Sequence, residues 1–176
     1  MGKKEDETVE MLLCVFDNES AAVGAHAGLV HWDDSRRDIK LGSIGFVQLV
    51  DGEVKGTLVR KEGKGALVSG AMGLVKSMLG PIAMVGEVVG GVARSFFKEE
   101  KDETPEAFQK LAAYMDAGGV TMIMVGNADE ARAYSGQLQA MGGRVTIYTI
   151  PQETLDEVAA AVAEAEAQAA AAEEAA

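Results

Sequence analysis

The sequence contains few of the residues from which catalytic and metal sites are usually built. Its 176 residues include one cysteine, two histidines and three prolines, and only 5% are aromatic. A single cysteine excludes an internal disulfide framework and favours a reducing compartment. Cys14 lies in an apolar run, where a cysteine is most often a small core residue. His26 and His31 are five positions apart on one predicted helix and do not share a face, so we expect no metal site.

The sequence also lacks an excess of positive charge. It has 28 acidic and 16 basic residues and a formal net charge of −12, which excludes nucleic acid as a main partner. Seven acidic residues and no Lys or Arg follow Pro151, so the rest of the chain carries a net charge of only −5. The N-terminus has no apolar segment of the signal-peptide type, so we expect a cytoplasmic protein.

A local basic bias surrounds the middle of the first half. It comes from Arg36, Arg37, Lys40, Lys55, Arg60, Lys61 and Lys64. Aromatic residues are not interleaved with these cations, as nucleic-acid binding would favour. Three interpretations remain open: a surface for the acidic tail of another subunit, a contact with anionic lipid headgroups, and an ordinary solvated surface.

The first half of the chain has the pattern of a strand, a helix and a hairpin. Residues 9–16 form a short apolar run that is typical of a strand buried on both faces, and an amphipathic helix is predicted to about Trp32. Residues 39–50 and 54–60 flank Asp51-Gly52, which is a strong hairpin signal.

The second half repeats this order. A helix is predicted from Thr104 to Met115, a buried strand over 120–125, a helix over 127–141 and a final strand over 144–150. A shift of 110 residues overlays residues 15–21 on 125–131, each a strand end followed by an Asx cap and an Ala-rich helix. Capping signals are generic, so this similarity also fits two unrelated strand–helix junctions.

These patterns predict an α+β fold. We expect a ferredoxin-like split-βαβ sandwich over residues 9–150, with its helices on one face of the sheet. Residues 1–8 form an N-terminal arm, and residues 151–176 an acidic, Ala/Glu-rich helical tail. Only Leu155, Val158 and Val162 give this tail an apolar stripe, so we expect a docked start and an end that is frayed or depends on a partner.

A glycine-rich apolar segment at residues 65–97 interrupts the sandwich. Gly80-Pro81 divides it into two short predicted helices that form a hairpin, in which Lys76 and Glu87 are able to pair. Small residues recur at a spacing of four, which lets another backbone approach closely. The predicted oligomer interface comprises Ser69, Gly70, Gly73, Ser77, Gly80, Gly86, Val89, Gly90, Phe96 and Phe97. Its uncharged stretches are shorter than the about 20 residues of a membrane span. Self-association, shallow membrane contact and packing within the chain remain alternatives.

The order of these segments resembles a known family. VFDNESAA after the first strand, the hairpin IKLGSIGFVQLVDGEVK and the following GKGALVSGAMGLVKSMLG are similar to the DUF1269 family of small bacterial proteins. The resemblance covers about residues 9–150. It implies an alpha-beta sandwich with a glycine-rich hydrophobic insert, and a membrane-associated or stress-linked role. It implies no particular catalytic or binding residues.

We therefore expect a non-enzymatic, self-assembling structural protein that needs no cofactor. Its partner is itself, in a ring, shell or filament that the hairpin holds together. The alternative is a peripheral membrane protein whose hairpin enters the lipid surface shallowly. A small-molecule sensor or enzyme on the same sandwich is a third possibility without a supporting motif. Gly63-Lys64-Gly65 does not meet the Walker pattern, because Leu58 stands where its first glycine belongs.

Overall fold

The computed structural model describes residues 8–38, 41–50, 53–60, 65–79, 113, 115 and 117–175. The described part has an α+β fold, as predicted, with five strands and four helices. In chain order these elements are β1 (Thr8–Phe16), α1 (Glu19–Asp34), β2 (Ile44–Val50), β3 (Glu53–Arg60), α2 (Gly65–Leu79), β4 (Val120–Gly126), α3 (Ala128–Ala140), β5 (Arg144–Pro151) and α4 (Gln152–Ala175).

The five strands form one antiparallel sheet in the order β3-β2-β4-β1-β5. Since each neighbouring pair is antiparallel, β1 and β2 run in the same direction with β4 between them. In the same way β4 and β5 run in the same direction with β1 between them. Leu13 lies at the centre of this arrangement, opposite Ile123 on one side and Thr146 on the other. The first and last strands of the described chain are therefore neighbours.

Helices cover both faces of the sheet: α1 and α3 lie on one face, and α2 and α4, for which no face was predicted, lie on the other. The cluster that includes Leu12 and Cys14 packs under α1 and α3, whereas the cluster that includes Met11 and Leu13 packs under α2 and α4. Successive side chains of a strand point to opposite faces. Because β1 is apolar at both sets of positions, each face requires its own cover. The prediction that this strand is buried on both faces is confirmed.

The two Asx caps begin helices at the predicted places. The Asn18 side chain accepts a hydrogen bond from the backbone N–H of Ala21 at 2.8 Å. The Asn127 side chain accepts from the N–H of Glu130 at 2.8 Å, and the Glu130 carboxylate accepts from the N–H of Asn127 at 3.0 Å. Each cap thus satisfies N–H groups that the first helical turn leaves without a partner.

The hairpin forms with Val50 opposite Glu53, which fits a two-residue turn at the predicted position. Its first strand begins at Ile44, however, and not at residue 39. The Leu41 N–H donates to the Asp33 carboxylate at 2.7 Å, and the Leu41 side chain is buried. This contact attaches the connecting segment to the end of α1, so the chain joins the sheet only after Ser43.

Several predictions fall outside the described residues. They include the N-terminal arm up to residue 7, since Thr8 already begins β1. The others are the turn residues Asp51 and Gly52, the second arm of the hairpin, the Lys76–Glu87 pair and most of the helix predicted over 104–115. Of that helix, positions 113 and 115 are described and are helical, and Met115 is buried in the α2–α4 core. Gly118 then adopts a φ of 96°, a left-handed conformation that glycine adopts readily, before β4 begins.

Candidate functional site: the α2–α4 helix contact

The first arm of the glycine-rich segment is the helix α2, and it lies close against the sheet. Val68, Ala71, Met72 and Val75 are buried in the core that it shares with β2 and β4. At Gly45 of β2, an added Cβ would stand 2.5 Å from the Met72 Sδ and 3.1 Å from a Val68 methyl. The absence of a side chain at residue 45 therefore lets α2 approach the strand.

The glycines on another side of α2 contact α4 of the same chain. An added Cβ at Gly70 would overlap the backbone carbonyl of Leu155. An added Cβ at Gly73 would stand 2.8 Å from Val162 and 2.9 Å from Val158. Such distances are shorter than real side chains tolerate, so the two helices pack at the separation that only glycine permits. We refer to Gly70, Gly73, Leu155, Val158 and Val162 as the α2–α4 seam.

The seam holds only the first turns of α4. Leu155 and Val158 are fully buried, and Val162 packs partly against the same core. Beyond Val162 the described side chains are exposed, namely those of Ala163, Glu164, Ala167, Gln168, Ala171 and Glu174. The prediction of a docked start is confirmed. The later turns are helical to Ala175 and present Ala, Glu and Gln to solvent.

The structure separates the residues of the predicted oligomer interface. Gly70 and Gly73 lie in the seam, and Ser69 is half-buried. Ser77 is in the last turns of α2. Gly80, Gly86, Val89, Gly90, Phe96 and Phe97 lie outside the described residues. Packing within the chain, which was one of the three alternatives, therefore accounts for Gly70 and Gly73. Self-association remains a prediction for the other residues.

Sequence reasoning did not identify α4 as the partner of these glycines. A signal was present, because Leu155, Val158 and Val162 recur at helical spacing and Gly70 and Gly73 recur three residues apart. Large residues on one helix and small ones on another are what close helix packing requires. The two sets are more than 80 positions apart in the chain, and nothing local indicates that they meet.

In the described part of the chain, the other residues considered for catalysis or metal binding make packing contacts. Cys14 is fully buried, and this burial raises the pKa of its thiol to about 12. Its sulfur packs against Gly143, where a side chain would collide with it. The His26 ring stands edge-on to Phe46 with 6.1 Å between centroids. Among the described residues, no three His, Cys, Asp or Glu side chains are grouped as a metal site would require.

Arg36, one residue of the predicted basic surface, contacts side chains that are close to it in the sequence. Arg36 lies over the Trp32 ring at 5.1 Å, and its Nε donates to the Asp38 carboxylate at 2.8 Å. Trp32 in turn stands edge-on to Tyr134, with 6.0 Å between centroids. Arg37 and Lys55 are exposed, whereas Lys40, Lys61 and Lys64 lie outside the described residues. Asp38 thus offsets the charge of Arg36, and the predicted basic surface is weaker at this point.

Comparisons with known proteins give no relative on which to base a function. No family model matches the chain, and neither curated proteins nor solved structures gave a match. The resemblance to DUF1269 therefore stays a prediction. In the described part of the chain, every helix is too short or too polar to span a bilayer.

Proposed function

We propose that this chain is a non-enzymatic structural protein that assembles with copies of itself through its glycine-rich segment. The body of the subunit is a ferredoxin-like split-βαβ sandwich. In support, β1-α1-β2 and β4-α3-β5 each join two strands of the same direction with a third strand between them. The helices of both units, α1 and α3, pack on the same core cluster.

The proposal depends mainly on the close helix packing that the glycines of α2 allow. At Gly70 and Gly73 the missing side chain lets α4 approach to a distance at which an added Cβ would clash. The sequence repeats a small-residue spacing of four at Gly86 and Gly90. Helices that expose such a pattern associate through close backbone packing. Since α4 already occupies the stripe of Gly70 and Gly73, we assign the contact between subunits to residues 80–97.

The state of Cys14 is compatible with a structural role. A thiol reacts as its thiolate, and a pKa of about 12 leaves Cys14 protonated at neutral pH. Its neighbours in the core are apolar residues such as Leu12 and Phe16, which stabilise the sheet. The sulfur therefore contributes packing at the centre of the fold and is poorly suited to nucleophilic attack.

Light scattering after size-exclusion chromatography tests the proposal on the full chain. We expect the wild-type protein to have a mass of at least twice the 18.4 kDa of one chain. The double variant Gly86→Leu, Gly90→Leu should have a smaller mass, because leucine fills the space that close packing needs. Gly73→Leu is unsuitable here, since it would disrupt the α2–α4 seam within each chain.

The matched control is Gly24→Leu, Gly136→Leu. Both positions are exposed on helices, and an added Cβ at either has no neighbour within 4 Å. This control should keep the wild-type mass. A monomeric wild-type protein, or an unchanged mass of the Gly86 and Gly90 variant, would refute self-assembly through the segment. A monomer that floats with anionic vesicles would favour shallow insertion of the hairpin into lipid.

A further inference from the structure

The α2–α4 seam shows what kind of surface packs against glycines in this fold. Three aliphatic residues of α4, at relative positions i, i+3 and i+7, lie against Gly70 and Gly73, where an added Cβ would clash. The pair Gly86 and Gly90 has a similar spacing and belongs to the segment that we assign to the contact between subunits. We therefore expect its partner to be another exposed aliphatic stripe at this spacing.

One flank of the helix α1 has this pattern. Val23, His26 and Val30 occupy positions i, i+3 and i+7, so they lie on the same side of the helix. The His26 ring stands edge-on to Phe46, which directs this side towards β2 and its neighbour β3, while the opposite side packs at Gly28 against the end of α3. Val23 is 51% exposed, more than any other large hydrophobic residue in the described part of the chain.

The strand β3 forms the other wall of a groove beside this flank. Thr57 pairs with Phe46, so its side chain lies on the same face of the sheet as α1. Lys55 precedes it by two residues and shares that face. Both residues are exposed, so this face of β3 is open to solvent next to α1. We refer to Val23, His26, Val30, Lys55 and Thr57 as the α1–β3 groove.

We propose that the α1–β3 groove receives residues 80–97 of a second copy of this chain. This inference rests on the proposed function and identifies the surface that the segment contacts. Gly86 and Gly90 lie against Val23 and Val30, and the missing side chains permit the close approach that the α2–α4 seam also has. The contact covers Val23, which a single subunit leaves exposed.

The charges of the two surfaces are complementary. Between positions 77 and 93 the only charged residue is Glu87, next to Gly86. Lys55 lies in the row of paired residues that crosses the sheet to Phe16, at the end of β1 from which the chain enters α1. A cation therefore stands at the same end of the groove as Val23, where it pairs with Glu87 of the other copy.

The position of the segment favours a second copy over the same chain. The helix α2 ends at Leu79 on the α2–α4 side of the sheet, and Met115 is buried in the same core. The groove lies on the opposite face, beside α1. A segment that is anchored on one face and a groove on the other join neighbouring copies head to tail. Contacts between two different surfaces are heterologous and produce rings or filaments.

Insertion of a charge on α1 tests the groove. Val23→Glu should lower the mass of the full chain to about the 18.4 kDa of one subunit, measured by light scattering after size-exclusion chromatography. The matched control Ala21→Glu adds the same charge at an exposed position on another side of α1, as Gly24 also is, and should keep the wild-type mass.

Because Val23 is exposed, both variants should keep the wild-type circular dichroism. Equal masses of the two variants would overturn the proposal. An unchanged mass of Val23→Glu with a lowered unfolding temperature would mean that the groove is filled within the chain, which would also overturn it.

Mixing two defective variants tests the head-to-tail contact directly. Val23→Glu retains an intact segment, whereas Gly86→Leu, Gly90→Leu retains an intact groove. At a concentration at which the wild-type protein is assembled, each alone should have the mass of one chain, and the mixture should form pairs of twice that mass. A mixture without pairs would overturn the proposal. If only the glycine variant loses mass and Val23→Glu does not, the proposed function stands and this inference fails.

Discussion

Gly70 lies so close to the backbone carbonyl of Leu155 that no side chain fits between them. This contact joins the glycine-rich helix α2 to the start of α4 and sets the distance between the two helices. A flexible side chain is able to move away from an added methyl group, but a backbone carbonyl within a helix is not. The seam is therefore rigid at residue 70 and more adaptable at Gly73, where the neighbours are valine side chains.

Gly70→Ala should lower the free energy of unfolding by about 1–2 kcal/mol, because the strain of overpacking exceeds the gain in helix propensity. Urea denaturation followed by circular dichroism measures the change. The matched control is Gly136→Ala in α3, where an added Cβ meets open space. It should raise the free energy of unfolding by about 0.5–1 kcal/mol, since alanine favours a helix more than glycine does. If Gly70→Ala is as stable as this control, the described seam is incorrect.

Local signals allowed most of the fold to be predicted. The Asx caps at Asn18 and Asn127, the Asp-Gly hairpin and the apolar strands depend on residues that are neighbours in sequence, so each was recognisable. Burial of β1 on both faces was also predicted, yet its consequence was missed. A strand with apolar side chains on both faces requires a layer of helices on each face, whereas the predicted sandwich had helices on one face.

The candidate site was harder to predict because its partners are distant in sequence. The spacing of Gly70 and Gly73 indicated close packing but did not indicate the surface that fills the space. Leu155 and Val158 meet these glycines only because β5 leads directly into α4 beside the α2 layer. Small-residue patterns thus predict that a close contact exists, while the topology of the sheet determines whether it forms within or between chains.

Asn127→Ala should lower the free energy of unfolding by about 1 kcal/mol. The substitution removes the acceptor for the Glu130 N–H and half of the capping box of α3. Asn127→Asp is the control, since a carboxylate accepts the same hydrogen bond and is favoured at a helix N-terminus. Equilibrium urea denaturation compares the three proteins. Equal stability of the alanine and aspartate variants would show that the cap contributes nothing.

The two halves of α4 should respond differently to change. Leu155→Ala should lower the free energy of unfolding by about 2–5 kcal/mol, because a fully buried side chain is lost from the core. Deletion of residues 164–176 should change it by less than about 1 kcal/mol, since the described side chains there are exposed. Thermal denaturation of both proteins distinguishes them. A large loss on deletion would mean that the exposed turns of α4 have a partner in solution.

Because of Cys14, the free energy of unfolding should decrease in a specific range of alkaline pH. Burial raises the pKa of its thiol from 9.0 to about 12 in the folded protein. Below pH 9 the thiol is protonated in the folded and unfolded states, and its contribution to the free energy of unfolding is fully present. Between pH 9 and 12 only the unfolded state loses the proton, so the unfolded state is favoured increasingly as the pH rises.

The loss should amount to about 2 kcal/mol of unfolding free energy at pH 10.5, relative to pH 8. Lysines and tyrosines titrate in the same range, so the measurement is the difference between the wild-type protein and Cys14→Ala at each pH. That difference should shrink or reverse as the pH rises, because only the wild-type protein has the thiol. The folded protein should also fail to react with a thiol reagent at pH 8 until urea unfolds it. Rapid labelling without urea, together with a pH-independent difference, would place Cys14 outside the core.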